Sequence, residues 1–393
     1  MPETIELEEL TRGLGVSEEV ATFAHAAARE VIFGKGELDV VGEKMRAHAD
    51  RRVLLVTDPG IVEAGHATRA RSALEDAGLE VVVFDQVHEN PTTGDVDRCL
   101  AVLDGEAIDG IVGLGGGSSM DTAKGANFIY TNGGEMKDYW GVGKALKPML
   151  PMVAIPTTAG TGSECQSFAL IADRKTHQKM ACGDKKVSAA VAILDPELTL
   201  TQPASVTAHT GIDAIAHAVE TLVSKKRNAI SIEYSKVAFA LLNEGFEAVI
   251  ADPTNLEARA RVLAGAAYAG TAIENSMLGA AHSAANPLTA HYGVIHGDAV
   301  GVMLPHVIRL NSQNGEVGDL YLELGEPRLD ERIEVLLERS GTMRDLRETG
   351  FEADKISVLA AEASGQWTAQ FNPVELTVDD FEGLYREASG VTL

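Results

Sequence analysis

The first half of the chain alternates between short apolar runs and longer helix-like stretches. The apolar runs lie at 53–57, 81–84 and 108–114, and the helix-like stretches lie around 61–77 and 94–103. Short β-branched runs that alternate with helices predict a mostly parallel sheet with helices on both faces. We therefore expect a Rossmann-like α/β domain over residues 1–200. Sheets of this kind bind ligands at the carboxyl ends of their strands.

The second half of the chain lacks strand-like runs. These runs stop near residue 194, and from 205 to 393 almost every segment has helical composition. The segment 256–272 is rich in alanine and glycine, and such small residues permit close packing of helices. The pattern predicts an all-helical domain over residues 201–393. Because no repeat or flexible linker interrupts the chain, we expect a hinge between packed domains near residue 200.

The N-terminal segment adds a short region before the first predicted strand. Ser17 is a candidate helix N-cap, and a helix-friendly run follows it to about Arg29, so residues 1–30 are predicted to form a helical extension. The first ten residues are acidic and lack the basic region and apolar core of a signal peptide. A cytoplasmic location is therefore expected.

The net charge and the cysteine content indicate which classes of partner and which cellular compartment to expect. The formal net charge of −25 over 393 residues repels phosphate backbones and anionic membranes, so we expect neither nucleic acid nor a membrane as partner. No apolar run has membrane-spanning length. Cys99, Cys165 and Cys182 have no paired spacing, which fits a reducing compartment.

Four residues between positions 211 and 296 predict a metal site. Asp213 and His217 are four residues apart on a predicted helix, so their side chains lie on one face. His282 and His296 follow among small, apolar neighbours. A single histidine on an apolar helix face is usually a hydrogen-bonded core residue, so no one of these alone indicates a metal. An unpaired carboxylate at Asp213 would be costly to bury, however, and a divalent ion removes that cost.

Two turns at strand ends suggest a nucleotide. Residues 115–118, Gly-Gly-Gly-Ser, follow a predicted strand and open a helix, so backbone N–H groups can approach a pyrophosphate closely. The loop is not the Gly-x-Gly-x-x-Gly fingerprint, and an ordinary tight turn also explains it. The threonine-rich turn at 156–165 suits hydrogen bonds to ribose or nicotinamide carboxamide, or alternatively caps the next helix.

Asp58 bears on the choice of dinucleotide. It follows an early strand, where a carboxylate can accept hydrogen bonds from the adenosine ribose and repels the 2′-phosphate of NADP. An Asp-Pro-Gly turn explains the residue equally well. As a ribose contact Asp58 would favour NAD over NADP, whereas as a turn residue it leaves the choice open.

The metal-binding residues, together with Gly297 and the run at 301–306, resemble the iron-containing (group III) alcohol dehydrogenases from about Phe33 onward. The resemblance implies the two-domain, dehydroquinate synthase-like architecture and a metal-dependent alcohol dehydrogenase or aldehyde reductase. The metal would polarise the oxygen of a small alcohol or aldehyde, held between the two domains, while hydride passes to or from NAD(H). The resemblance implies Fe(2+), but the ligand set also suits Zn(2+), which related polyol dehydrogenases use.

The resemblance also implies individual site residues. It places the pyrophosphate on the glycine loop and lines the cofactor cleft with the threonines of the second turn. The predicted cofactor residues are Asp58, Gly115, Gly116, Gly117, Ser118, Asp121, Thr157, Thr158 and Thr161, and the predicted metal ligands are Asp213, His217, His282 and His296.

One position departs from the family pattern. Asn286 stands where the family commonly has a second histidine, and asparagine can hydrogen-bond but cannot titrate. The proton path then uses water, ribose hydroxyls or His291, which a surface position explains equally well. Phe168 is expected to face the substrate and to favour less polar compounds. His291, Asn286 and Phe168 are the predicted catalytic residues.

Alternatives to this function are an NAD- and metal-dependent lyase of the dehydroquinate synthase type, a zinc-dependent polyol dehydrogenase, and a silent binding protein. A lyase of that type needs basic residues around phosphate or carboxylate groups, and the metal-site segments are poor in Lys and Arg. Intact ligands and an intact glycine loop argue against a silent protein. Similar proteins form dimers and larger assemblies, so we expect a homodimer or larger homo-oligomer, for which the sheet edge is one pairing surface.

Overall fold

The computed structural model of the protein describes residues 5–176 and 178–390. The chain divides into two compact units. The first contains residues up to Leu10 and Ala21–Gln202, and the second contains Thr11–Val20 and the chain from Pro203 onward.

The first unit is built on a six-stranded parallel sheet. Its strands, in spatial order, are β1 (Glu30–Phe33), β9 (Val191–Leu194), β6 (Met152–Pro156), β4 (Gly110–Gly115), β2 (Arg52–Val56) and β3 (Glu80–Phe84). A smaller sheet contains β5 (Gly141–Val142), β8 (Lys179–Gly183) and β7 (Phe168–Ala172), of which β7 and β8 are antiparallel. The α/β prediction is confirmed for this unit.

Helices cover both faces of the large sheet. They are α3 (Val41–Arg46), α4 (Pro59–Glu63), α5 (His66–Asp76), α6 (Thr93–Gly105) and α7 (Gly117–Asn132). Successive residues of β2 point to opposite faces. Leu54 joins a core that includes Phe128 of α7, whereas Leu55 joins a second core that includes Leu74 of α5. A strand buried on both sides explains the continuous apolar runs in the sequence.

The N-terminal segment is less helical than predicted. Two short helices, α1 (Leu7–Thr11) and α2 (Glu18–Ala21), form there, and the prediction of a helix continuing to Arg29 is wrong. Ser17 Oγ does accept a hydrogen bond from the Val20 amide. Phe23 then adopts a left-handed backbone with φ of 56°, which ends the helix. Beyond it, the Ala27 amide donates to the Cys165 carbonyl.

The described part of the second unit is all helix apart from turns and 3₁₀ segments, as predicted. Its longer helices are α8 (Ala204–Val223), α9 (Ala229–Ala251), α10 (Leu256–Asn275), α11 (Ala280–Tyr292), α12 (His296–Ser312), α13 (Gly315–Leu322), α14 (Leu329–Ser340), α15 (Ile356–Ser364) and α16 (Val378–Ser389). Small residues bring helices close together: a Cβ on Gly265 of α10 would lie 2.7 Å from Leu242 of α9. Among the described residues, none of the helices combines the length and apolarity needed to span a bilayer.

Candidate metal centre and cofactor loops

Helix α8 carries the first two predicted ligands. Its apolar residues and the four-residue spacing place Asp213 and His217 on a buried face, where they are 6% and 5% exposed. The Asp213 Oδ1 to His217 Nε2 distance is 3.4 Å. The helix therefore presents a carboxylate and an imidazole side by side in the interior of the second unit.

Two further helices bring the other imidazoles to Asp213. His282 lies in the first turn of α11, and its Nε2 is 3.3 Å from Asp213 Oδ1. His296 is the first residue of α12, and its Nε2 is 3.8 Å from the same oxygen. The rings of His217 and His282 stack with centroids 4.9 Å apart. All four predicted ligands thus converge on one point.

The geometry of this cluster fits a metal ion. Two ligands about 2.1 Å from a tetrahedral ion lie about 3.4 Å apart, close to the separations found here. Candidate ligand atoms of Asp213, His217 and His282 all lie within 4.8 Å of one another. In the described structure, Asp213 Oδ1 and His282 Nε2 are buried without a hydrogen-bond partner. Buried polar atoms of this kind are rarely left unsatisfied, and a cation would satisfy both.

Electrostatics at the cluster favour a cation. Burial raises the pKa of Asp213, but the surrounding imidazoles of His217, His282 and His296 outweigh burial and hold this pKa well below its usual range. Burial lowers the pKa of His282, whereas the carboxylates of Glu220 and Asp213 raise it, to about 9. The site therefore keeps a buried negative charge that attracts positive partners.

Glu220 is a residue of this site that the sequence analysis missed. It is 3% exposed, lies on α8 three residues after His217, and its Oε2 is 2.5 Å from Nδ1 of His282. Its position in the sequence could have revealed it. Glu220 is three residues after His217 and seven after Asp213, and both spacings place it on the same face of the helix.

The glycine loop of the first unit joins β4 to α7. Gly115 has φ of 148°, and Gly116 is the N-cap of α7. A Cβ on Gly117 would lie 2.8 Å from Cγ2 of Thr161, so the absence of a side chain lets the two predicted cofactor turns approach. Ser118 is half-buried in the first turn of α7. Strands β4 and β6 are neighbours, so both turns leave the same edge of the sheet.

The threonine-rich turn after β6 is held by its own backbone contacts. Thr157 is 2% exposed, its amide donates to the Gly115 carbonyl, and its carbonyl accepts a 2.5 Å hydrogen bond from Gln202 Nε2. Thr158 and Thr161 are half-buried, and Thr161 Oγ1 accepts from the Ser163 amide. Two of the three threonines thus keep part of their surface open at the loop.

Two predicted cofactor carboxylates have structural partners. Asp58 is the N-cap of α4 and accepts a hydrogen bond from the Ile61 amide, and Ser119 Oγ lies 3.4 Å from its second oxygen. Asp121 is 8% exposed and accepts from Ser163 Oγ at 3.0 Å. Burial raises the pKa of Asp121. Asp121 therefore faces the neighbouring turn, which it helps to hold.

The three predicted catalytic residues have different contacts. Asn286 is one turn after His282 on α11, and its Nδ2 donates to Gln366 Oε1 at 3.0 Å. The His291 side chain is 42% exposed, and its Nε2 is 2.9 Å from Glu362 Oε2. Phe168 begins β7, where its ring packs over Gly183 of β8.

Family models match both halves of the chain. Residues 28–196 match the model described as iron-containing alcohol dehydrogenase. Residues 207–389 match the C-terminal model of the Fe-containing alcohol dehydrogenase family.

Individual proteins are similar over most of the chain. Alcohol dehydrogenase 4 of Schizosaccharomyces pombe is 35% identical over 367 residues, covering 91% of this chain and 87% of that protein. The NAD-dependent methanol dehydrogenase of Bacillus methanolicus is 34% identical over 370 residues, covering 91% and 97%. A solved 1,3-propanediol oxidoreductase has a TM-score of 0.88 at 32% identity, covering 92% of this chain and 98% of that one.

Proposed function

The chain belongs to the iron-containing alcohol dehydrogenase family, and we infer that it transfers a hydride between NAD(H) and a small alcohol or carbonyl compound. It is a metal-dependent alcohol dehydrogenase or aldehyde reductase, with iron and NAD as its cofactors. The convergence of one buried carboxylate and three imidazoles carries this conclusion, since it supplies a site for the metal that the reaction needs.

We propose that Asp213, His217, His282 and His296 hold the metal. A divalent ion in this position would act as a Lewis acid on the substrate oxygen. The three imidazoles would bind the ion through neutral nitrogen atoms, and Asp213 would contribute the one negative charge among the four ligands. Asp213, His217 and His282 are buried, so they would hold an ion in a poorly hydrated setting, which would strengthen its interaction with an oxygen ligand.

We propose that the two interlocked turns of the first unit bind the dinucleotide, which supplies the hydride acceptor or donor. The N–H groups of residues 116–118, at the start of α7, would meet the pyrophosphate, because a helix N-terminus favours negative charge. Gly115, Thr157, Thr158 and Thr161 shape and line the adjoining edge.

We assign two carboxylates of this region to different tasks. Within residues 5–176 and 178–390, Asp58 Oδ2 accepts one hydrogen bond, from Ser119 Oγ at 3.4 Å, and so can also accept from a ribose hydroxyl. Asp121 acts on the cofactor through Ser163, which it holds in place.

Asn286 cannot accept a proton, so the proton that leaves the alcohol needs another route. We propose that Asn286 orients the substrate or a water through its amide, since it lies one helical turn from His282. His291 is exposed and paired with Glu362, and we propose it, beside water and the ribose hydroxyls, as a further candidate for this route. Phe168 is proposed to bias the site toward less polar substrates.

We propose that the enzyme works in the cytoplasm as a homodimer or larger homo-oligomer. The three cysteines are buried thiols without a disulfide, which fits a reducing compartment. In the part of the chain that the structure describes, β1 and β3 are the edge strands of the large sheet, and either edge offers backbone groups for subunit pairing.

Anaerobic reconstitution tests the function. Metal-free protein loaded with Fe(II), and separately with Zn(II), is assayed for NADH oxidation against aldehydes, ketones and oxo acids, with His282→Ala as the control. We expect aldehyde turnover that the control lacks. Equal turnover in both proteins would refute the metal-dependent assignment, and higher activity with Zn(II) and polyols would favour the zinc-dependent polyol dehydrogenase.

A further inference from the structure

Glu220 connects two of the helices that carry the metal ligands. It lies on α8, on the same buried face as Asp213 and His217, and only 3% of its surface is exposed. A carboxylate is costly to bury unless each oxygen finds a donor. The contacts of its two oxygens therefore explain why it is kept there.

Both oxygens of Glu220 reach the first turn of α11. Oε1 accepts a 2.7 Å hydrogen bond from the Ala281 amide, and Oε2 lies 2.5 Å from Nδ1 of His282. A helix N-terminus has unsatisfied N–H groups and favours a negative charge. The neighbouring Ala280 amide is satisfied in the same way by Asn372 Oδ1. The start of α11 is thus fixed by side chains from elsewhere in the unit.

The contact with Nδ1 determines how His282 faces the cluster. An ionised carboxylate only accepts hydrogen bonds, so Nδ1 of His282 carries the hydrogen and donates it. The opposite nitrogen, Nε2, then points to Asp213 Oδ1 at 3.3 Å. Rotation of the ring would break the 2.5 Å hydrogen bond and remove Nε2 from the ligand cluster.

We propose that Glu220 is a positioning residue of the metal centre, which holds His282 in the tautomer and orientation that present Nε2 to the ion. This inference rests on the proposed metal site. Glu220 does not touch the substrate or the metal and acts only through His282 and the start of α11. Carboxylates behind ligating histidines commonly contribute ten- to hundredfold to metal affinity.

The test compares metal binding by two isosteric variants. In Glu220→Gln one carboxylate oxygen becomes an NH₂ group, which must face either the Ala281 amide or the Nδ1–H of His282. We expect the dissociation constant for Co(II), used alone as the probe, to rise about ten- to hundredfold with an altered visible spectrum of bound Co(II). The affinity for NAD is expected to stay unchanged, a separation that general loss of structure would not give.

Glu387→Gln is the matched control. Glu387 also faces a histidine of the same unit, since its Oε2 is 3.4 Å from Nδ1 of His306, but its side chain is 61% exposed. We expect wild-type Co(II) affinity and spectrum in this variant. If Glu220→Gln does not fold, Glu220→Asp replaces it, because the shorter carboxylate keeps the charge and loses the reach.

The outcomes separate the two ideas. Wild-type Co(II) affinity and spectrum in a folded Glu220 variant would overturn the positioning role while leaving the metal site intact. Failure of the wild-type protein itself to bind Co(II), or to reduce aldehydes with iron, would overturn the proposed function on which the role depends.

Discussion

Gly297 offers a sharp test of how the metal centre is built, because it allows α12 to begin against α8. A Cβ at this position would lie 2.1 Å from the carbonyl oxygen of His209 and 2.7 Å from its carbonyl carbon. Both atoms belong to the backbone of α8, so no side-chain rotation relieves the clash. Ordinary contact begins at 3.4 Å, and in Gly297→Ala the two backbones must separate by about 1.3 Å.

That separation is expected to displace the neighbouring residue, a proposed metal ligand. His296 precedes Gly297, and its Nε2 is 3.8 Å from Asp213 Oδ1 on α8. Metal sites hold ligand distances to within about 0.2 Å, and a misplacement of about 1 Å can reduce the rate about a hundredfold. We therefore expect Gly297→Ala to lower kcat/KM about a hundredfold and to weaken Co(II) binding, measured by chelator competition and by NADH oxidation.

Gly301→Ala is the control one turn further along α12. A Cβ there meets the side-chain methyl groups Cγ2 of Ile212 and Cδ2 of Leu337, at 2.7 and 2.8 Å. These groups can move, so we expect the unfolding free energy to fall by about 1–3 kcal/mol, less the gain from the better helix propensity of alanine. The metal affinity is expected to stay at the wild-type value. Unchanged Co(II) affinity in Gly297→Ala would refute the reasoning.

Three further predictions concern the first unit. Lys124 is fully buried, and its Nζ donates to the carbonyls of Ser163, Gln166 and Phe168. Lys124→Met removes these hydrogen bonds, so it should lower the melting temperature and raise the Kd for NAD measured by calorimetry. An unaltered Kd would show that this turn does not bind the cofactor. Burial raises the pKa of Glu164 from 4.5 to about 7. Between these two pH values the folded state holds a proton that the unfolded chain releases. The unfolding free energy should therefore fall by up to about 3 kcal/mol as the pH rises from 4.5 to about 7. Urea titrations at pH 5 and pH 8 should show that fall in the wild type and not in Glu164→Gln. Asp58→Ser keeps the α4 cap and removes the charge, so we expect kcat/KM with NADPH to rise at least about tenfold relative to NADH, and no rise would assign Asp58 to capping alone.

The sequence predicted the elements whose signal is local. Strands β2 and β4 appear as apolar runs because both faces of the sheet are covered. The pairing of Asp213 with His217 follows from helix periodicity. That His282 and His296 approach Asp213 was predicted from the family resemblance, because no local sequence pattern indicates that α11 and α12 converge on α8.

Features that depend on distant contacts were not predicted. The alanine-rich run after Ser17 has good helix propensity, yet the helix ends at Ala21, shortly before the left-handed backbone of Phe23, and the Ala27 amide then bonds to the distant Cys165 carbonyl. The hydrogen bond that Asp121 accepts from Ser163 was not predicted because the two residues are 42 positions apart, and the assignment of Asp121 to the cofactor stays a prediction. Glu220 was overlooked because its role depends on the start of α11, about sixty residues further along the chain.

The positions of the proposed metal ligands also have a consequence for the lifetime of the protein. They lie on α8, α11 and α12, so a bound ion would cross-link segments that are separated by the whole of α9 and α10. The unfolded chain has no such site, and free metal at about a thousandfold excess over its Kd would stabilise the folded state by about 4 kcal/mol. Proteases act on transiently opened chains, so iron starvation is expected to lower the number of enzyme molecules as well as the activity of each one.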